Sequence, residues 1–245
     1  MSVKMRAEVD YPSSDGKPMA ETDMHRDWMV TIIQRLQRWY AGKRVYVSGN
    51  LLIYYVEGDA KKSFAPDAFV VKGCDPGKRR IFKIWEEVRI PNWVMETTSK
   101  KTRREDRGWK KELYAQLGIK EYFLYDPLGE WLKPSLMGFE LVKGEYQPIE
   151  PNTDGSIVSK QLGIRFALEG RDLAMFDAET DERLLCAFEI SQQAQLQAAE
   201  SEQLALKERQ RAQDAERRLA EVNAELLRLK KELGRKANGK PNGKA

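Results

Sequence analysis

Residues 91–126 read PNWVMETTSKKTRREDRGWKKELYAQLGIKEYFLYD. Pro91 introduces a short apolar run, Trp93-Val94-Met95, that ends on Glu96. Such a run, bounded by breakers, reads as a buried strand. Arg103 to Leu117 follows as a polar helix, and Gly118 supplies the left-handed residue on which helices commonly close. Glu121-Tyr122-Phe123-Leu124-Tyr125-Asp126 is then a second strand. The order strand, helix, strand predicts an α/β fold with a right-handed crossover and a mixed central β-sheet flanked by helices. Glu96 stands out within it, because an acid at the end of a central strand is costly to bury without a partner or a metal.

Upstream, Pro66-Asp67 opens a matching apolar run, Ala68-Phe69-Val70-Val71. Two carboxylates on adjacent strands, Asp67 and Glu96, suit a hard divalent cation, which prefers oxygen ligands. Lys110, on the helix between the strands, can orient an attacking water and offset charge on a phosphate. The triad Asp67, Glu96 and Lys110 therefore points to a metal-dependent nuclease. Blander readings stand beside it. Asp67 after Pro66 also suits a turn at a strand start. Asp106, four residues before Lys110, also suits an ordinary ion pair on a solvated helix. Tyr114 lies on the same face, for core packing or DNA contact. Lys100, Lys101, Arg103, Arg104, Arg107 and Lys111 surround Lys110, with only Glu105 and Asp106 opposing. Cations at a helix start oppose the macrodipole, so this placement favours a phosphate partner such as the backbone of DNA.

Working outward, residues 1–20 carry Pro12, Ser13, Ser14, Asp15, Gly16 and Pro18, a flexible N-terminal arm. Thr22 or Asp23 caps a helix marked by Trp28, Ile32, Leu36 and Trp39-Tyr40, which stops near Gly42. Val45 to Tyr55 reads as two short strands around a turn or bulge at Ser48-Gly49-Asn50, and Gly58 to Ser63 as a polar loop. Residues 131–168 hold short β pieces separated by glycine and proline, hairpins at the edge of the same domain, which spans residues 21–186. From Ala187 the composition turns to glutamine, alanine, glutamate and arginine, and a helical tail spans 187–234. Leu219, Val222, Leu226, Leu229 and Leu233 form a heptad seam there, a partial coiled coil suited to a homodimer. Residues 235–245, rich in lysine, asparagine and glycine, are expected to be disordered.

The net charge of +4 does not make the whole chain a strongly basic nucleic-acid binder, so the location of its cations matters. Two distant cysteines, Cys74 and Cys186, argue against a disulfide framework and for a reducing cytoplasm. With these and a single histidine, His25, a four-ligand zinc site is excluded. No segment reaches the roughly 18 apolar residues of a membrane span, and no signal-peptide core opens the chain.

Taken in order, several motifs resemble the Uma-two family of restriction-type endonucleases, a branch of the PD-(D/E)XK nuclease superfamily. They are Pro66-Asp67 with its apolar tail, Pro91 to Glu96 and Ser99, and the series Thr102, Asp106, Lys110, Tyr114 and Gly118. Glu121-Tyr122 and Asp126-Pro127 complete it, with His25 before the first helix. The resemblance implies a restriction-endonuclease-like core in which Asp67, Glu96 and the Thr97 carbonyl hold Mg²⁺, with Mn²⁺ as a substitute. Glu21 or Glu57 would be an auxiliary acidic ligand, although each also reads as surface charge. In the wider superfamily the lysine lies two residues after the acid, where this chain has Thr98. The pattern resembles branches in which the lysine has moved to the following helix, which makes Lys110 the counterpart. A silent nucleic-acid-binding module, or an oligomerisation protein working through its tail, are the competing expectations.

Overall fold

The structure, a computed structural model, describes residues 9–14, 16 and 22–237. It falls into two units, residues 1–187 and 188–245.

In the first unit, α1 (Asp23–Trp39) starts at Thr22, whose hydroxyl accepts the His25 amide at 3.2 Å, satisfying one of the unpaired donors of a helix start. A six-stranded sheet follows, built from β1 (Val45–Ser48), β4 (Ala68–Lys72), β6 (Trp93–Thr97), β7 (Glu121–Tyr125), β8 (Leu136–Val142) and β9 (Glu145–Pro148) in that spatial order. Of its ladders only β6·β7 is parallel, so the sheet is mixed. The connection between these two strands runs through α3 (Arg103–Arg107) and α4 (Trp109–Leu117).

The two faces of the sheet are filled by alternate residues, as the two-residue period of a strand requires. Ala68, Val70, Trp93, Met95 and Phe123 pack with Ile32 and Leu36 of α1 on one face. On that side lies a second sheet, β10 (Ile157–Ser159), β11 (Ile164–Glu169) and β12 (Asp172–Asp177), whose Phe166 stacks on Trp93 with centroids 5.7 Å apart. Phe69, Val71, Val94, Tyr122 and Leu124 pack on the other face with Tyr114 of α4. A third sheet joins them, made of β2 (Ile53–Tyr54), β3 (Ser63–Phe64) and β5 (Phe82–Lys83), after which comes α2 (Ile84–Glu87).

Three expectations change here. The helix expected over 103–117 is broken at Gly108, whose φ of −108° and ψ of −113° leave the helical region. Glycine, the weakest helix former after proline, permits that break. The end of the 58–63 loop is drawn into β3, because Ser63 pairs with Tyr54. The pieces after residue 131 split: β8 and β9 extend the main sheet, whereas β10 to β12 form a sheet of their own. Within the expected flexible arm, residues 1–8, 15 and 17–21 lie outside the described residues, and two of the others touch Tyr54. Tyr11 packs edge-on against Tyr54 at 4.9 Å, and the Tyr54 hydroxyl donates to the Pro12 carbonyl at 2.5 Å.

The second unit holds α5 (Ala187–Ala237), a helix of 51 residues. The seam residues Leu219, Val222, Leu226, Leu229 and Leu233 are 48–68% exposed. Residues 238–245, most of the expected disordered end, lie outside the described residues. No helix among the described residues is long and apolar enough to cross a membrane.

Candidate active site

The β4·β6 ladder pairs Ala68 with Met95, which sets Asp67 one step further on, opposite Glu96. Both acids are in phase with Phe69 and Val94, so both face the side on which α4 packs. Two groups approach the Asp67 carboxylate. Its Oδ2 accepts the Thr97 amide at 2.7 Å and lies 3.3 Å from His25 Nε2 at the start of α1. The chain before it is clamped as well, since the Asn50 amide donates to the Pro66 carbonyl at 2.7 Å. Gly49 makes this approach feasible. A methyl group on its Cα would fall 1.9 Å from the Asp67 carbonyl oxygen, so the predicted turn is a close backbone contact that no larger residue allows.

Glu96, 1% exposed, is fully engaged. Its Oε1 accepts the Tyr114 hydroxyl at 2.6 Å, and its Oε2 lies 3.0 Å from Lys110 Nζ. Lys110 also bonds Asp106 at 2.8 Å. The i,i+4 pair expected on a solvated helix thus exists but is not solvated: the Lys110 and Asp106 side chains are 12% and 1% exposed. The break at Gly108 explains this. It ends α3 early, and the Asp106 carbonyl receives the Tyr122 hydroxyl from β7 at 2.8 Å, which fixes α3 against the sheet. Asp106 is thereby carried under the site, and its Oδ2 is buried with no hydrogen-bond partner among the described residues.

Burial raises the Glu96 carboxyl above its ordinary value; Lys110 opposes the shift, while Asp67 and Asp106 add to it. Burial likewise raises Asp106. Burial alone would discharge Lys110, but the carboxylates of Glu96, Asp106 and Asp67 outweigh it and hold the ammonium charged. Two acids, Glu96 and Asp106, thus pair with one ammonium, and Asp67 acts on it through its charge alone.

Asp67, Glu96 and Lys110 line one cavity of about 750 Å³, together with His25, Thr98, Lys100, Lys101 and Glu105. It opens beyond the C-terminal ends of the parallel strands β6 and β7, where open α/β sheets commonly bind ligands. Tyr114 lies beneath it, fully buried, with its hydroxyl on Glu96. Thr97 supplies the amide to Asp67 and buries its own hydroxyl. Arg104 and Arg107 are exposed on α3 and do not line the cavity, and Lys111 rests its ammonium 3.7 Å over the Phe139 ring. Arg103 stacks over Trp131, which also lines the cavity. Glu57 is exposed on the β2–β3 connection and is not brought to the cavity; Glu21 lies outside the described residues.

The Glu121 of the quoted motif is structural. Buried on β7, it accepts the Ser159 hydroxyl and the Gln161 amide, the latter at 3.0 Å, and so ties the main sheet to the β10–β11 turn. Trp131 and its anchor Asp126 escaped the reading of the site. Asp126-Pro127 followed by Gly129 signals a tight loop, and only the fold shows which cavity that loop borders.

The Uma2 family, described as "Putative restriction endonuclease", matches residues 4–175. The chain belongs to this family. The solved structures it resembles include a "putative nuclease belonging to DUF820" from Anabaena variabilis ATCC 29413. The two are 16% identical, with a TM-score of 0.43 over 60% of this chain and 76% of that one. No curated protein matches the chain.

Proposed function

We propose that this Uma2-family chain is a Mg²⁺-dependent endonuclease that hydrolyses phosphodiester bonds in DNA, Mn²⁺ serving as a substitute. The observation that carries the reading is that Asp67, Glu96 and Lys110 line one cavity together with Lys100 and Lys101, with Lys110 ion-paired to Glu96 and to Asp106 behind it. The donor set fits a hard cation. Its oxygens are carboxylates, and Asp106, which braces Lys110, keeps a buried Oδ2 with no hydrogen-bond partner among the described residues. Among the described residues no three acidic, histidine or cysteine side chains already form a ligand cage. Magnesium needs none, because it binds through one or two carboxylates and keeps waters or substrate oxygens for the rest.

Asp67 and Glu96, with the Thr97 carbonyl, would hold the ion. Bound there, it supplies Lewis-acid polarisation of a phosphoryl oxygen and makes a neighbouring water easier to deprotonate. Asp67, fixed by the Thr97 amide, keeps its carboxylate aimed across the strand ends. Lys110, charged and held by Glu96 and Asp106, offsets the negative charge that builds on the phosphorane-like transition state. His25 steadies Asp67. Lys100 and Lys101 dock the phosphate backbone and add no base reading of their own.

Plasmid DNA incubated with the full chain tests this. Nicking in Mg²⁺ or Mn²⁺ that EDTA abolishes is the expected result. DNA binding with no cleavage in any metal would replace the enzyme by a silent binding module.

We further infer that two chains pair through α5 in parallel. A heptad with Leu219, Leu226 and Leu233 at a and Val222 and Leu229 at d places Arg211 opposite Glu216 of a second copy, and Glu225 opposite Lys230. Paired sites suit cleavage of both strands. Sedimentation of the full chain as a dimer, and of Leu226→Glu as a monomer, is expected. A monomeric full chain at micromolar concentration would remove the pairing.

A further inference from the structure

Trp131 stands at the rim of the cavity on the loop between β7 and β8, half-buried, and hydrolysis at Asp67, Glu96 and Lys110 makes no use of it. The loop beneath it is built to hold it still. The Asp126 carboxylate, itself 1% exposed, accepts the amides of Leu128, Gly129, Trp131 and Leu132 at 3.1, 3.0, 2.5 and 2.9 Å. Leu132, next in the chain, is 1% exposed and pegs the loop to the core. The indole is therefore presented on a fixed backbone.

Its surroundings are unlike those of a core tryptophan. Trp93 is fully buried and stacked on Phe166. Trp131 has the Arg103 guanidinium 4.8 Å over its ring, the Lys100 ammonium 6.0 Å away, and the open cavity beside it. An aromatic platform backed by cations is the combination that proteins use on single strands, where each base offers a face to stack and each phosphate a charge to neutralise. Within a duplex both faces of a base are covered by its neighbours, so only an unstacked base can reach such a platform. The volume of about 750 Å³ is within the range of sites that hold a nucleotide-sized ligand.

We propose that Trp131 is the stacking platform for an unpaired nucleobase next to the phosphate addressed by Lys110, and that the substrate is single-stranded or locally unpaired DNA. The inference rests on the nuclease reading and narrows it. Arg103 holds the indole from one side, Lys100 serves the adjoining phosphate, and the base lies on the cavity side.

The test uses the full chain in Ca²⁺ with an oligonucleotide carrying 2-aminopurine, single-stranded or annealed to its complement. Wild-type protein is expected to quench the single strand and to bind it about tenfold more tightly than the duplex. Trp131→Leu keeps an apolar side chain but has no stacking face, and should lose the quench and about tenfold in affinity at an unchanged thermal midpoint. Trp131→Phe should retain both. A Trp131→Leu protein that binds and quenches like wild type, or a wild type that prefers duplex, overturns the platform. Plasmid nicking in Mg²⁺ by the same wild-type protein separates the two failures. Nicking with Trp131 indifferent discards the platform alone, whereas neither nicking nor DNA binding discards both readings.

Discussion

Replacing Asp67 with asparagine is expected to slow Mg²⁺-dependent nicking by about 10²–10³-fold, the usual cost of removing one preorganised electrostatic contact to the reacting groups. The same change should leave the thermal midpoint in EDTA unchanged. The Asp67 charge repels Glu96 and Asp106 and attracts Lys110, so its effects on the fold largely offset one another. Asparagine removes both effects and still offers an oxygen to the Thr97 amide, which Asp67 Oδ2 now accepts at 2.7 Å. A residue kept for a turn after Pro66 would behave in the opposite way, losing stability and activity together. Nicking rates and thermal melts on one preparation decide the matter. Undiminished nicking by Asp67→Asn would remove Asp67 from the reaction, and a parallel fall in melting temperature would assign it to the turn.

How much of this was legible before the fold depended on whether the signal was local. The strands around Trp93-Val94-Met95 and Tyr122-Phe123-Leu124 could be read because an unbroken apolar run between breakers admits few other structures. Their parallel pairing followed from the helical connection between them. The facing of Asp67 and Glu96 was partly legible too, since two-residue alternation fixes the face of an acid once its strand is placed. The environment of Lys110 was not. Spacing alone makes Asp106 and Lys110 a surface pair, and only the break at Gly108, together with Tyr122 from a strand thirteen positions beyond Trp109, carries them under the site. Gly49 was seen as a turn residue, but its contact with the Asp67 backbone is made across the fold. Glu121 shows the converse, a motif residue whose Ser159 and Gln161 partners make it a tie between sheets. Pattern finds elements, and long-range packing decides which polar groups share a buried space.

Lys110→Met is expected to cost about 3–5 kcal/mol of stability in EDTA near neutral pH, and to abolish nicking as well. Methionine matches the length of the lysine stem, so little packing is lost. What is lost is the cation between the carboxylates of Glu96 and Asp106, 3.0 and 2.8 Å away, each almost wholly buried. An exposed i,i+4 pair would cost only about 0.3–0.5 kcal/mol, so the magnitude itself distinguishes the two settings. The pH dependence supplies an independent check. Burial already raises the Glu96 carboxyl from its ordinary 4.5, and Lys110 restrains that rise, so its removal lets the carboxyl climb further. A carboxyl raised in the folded state binds its proton there more tightly than in the unfolded chain. Its protonated form therefore favours folding below the unfolded value, and that advantage fades as the pH rises towards the folded one. The variant should accordingly regain stability as the pH falls from 8 towards 5, by up to about 1.4 kcal/mol per pH unit for each proton taken up. Denaturant titrations at several pH values measure this directly. A loss below about 1 kcal/mol that does not vary with pH would return Lys110 to the solvated helix surface and would leave Glu96 without the counter-charge on which the proposed chemistry depends.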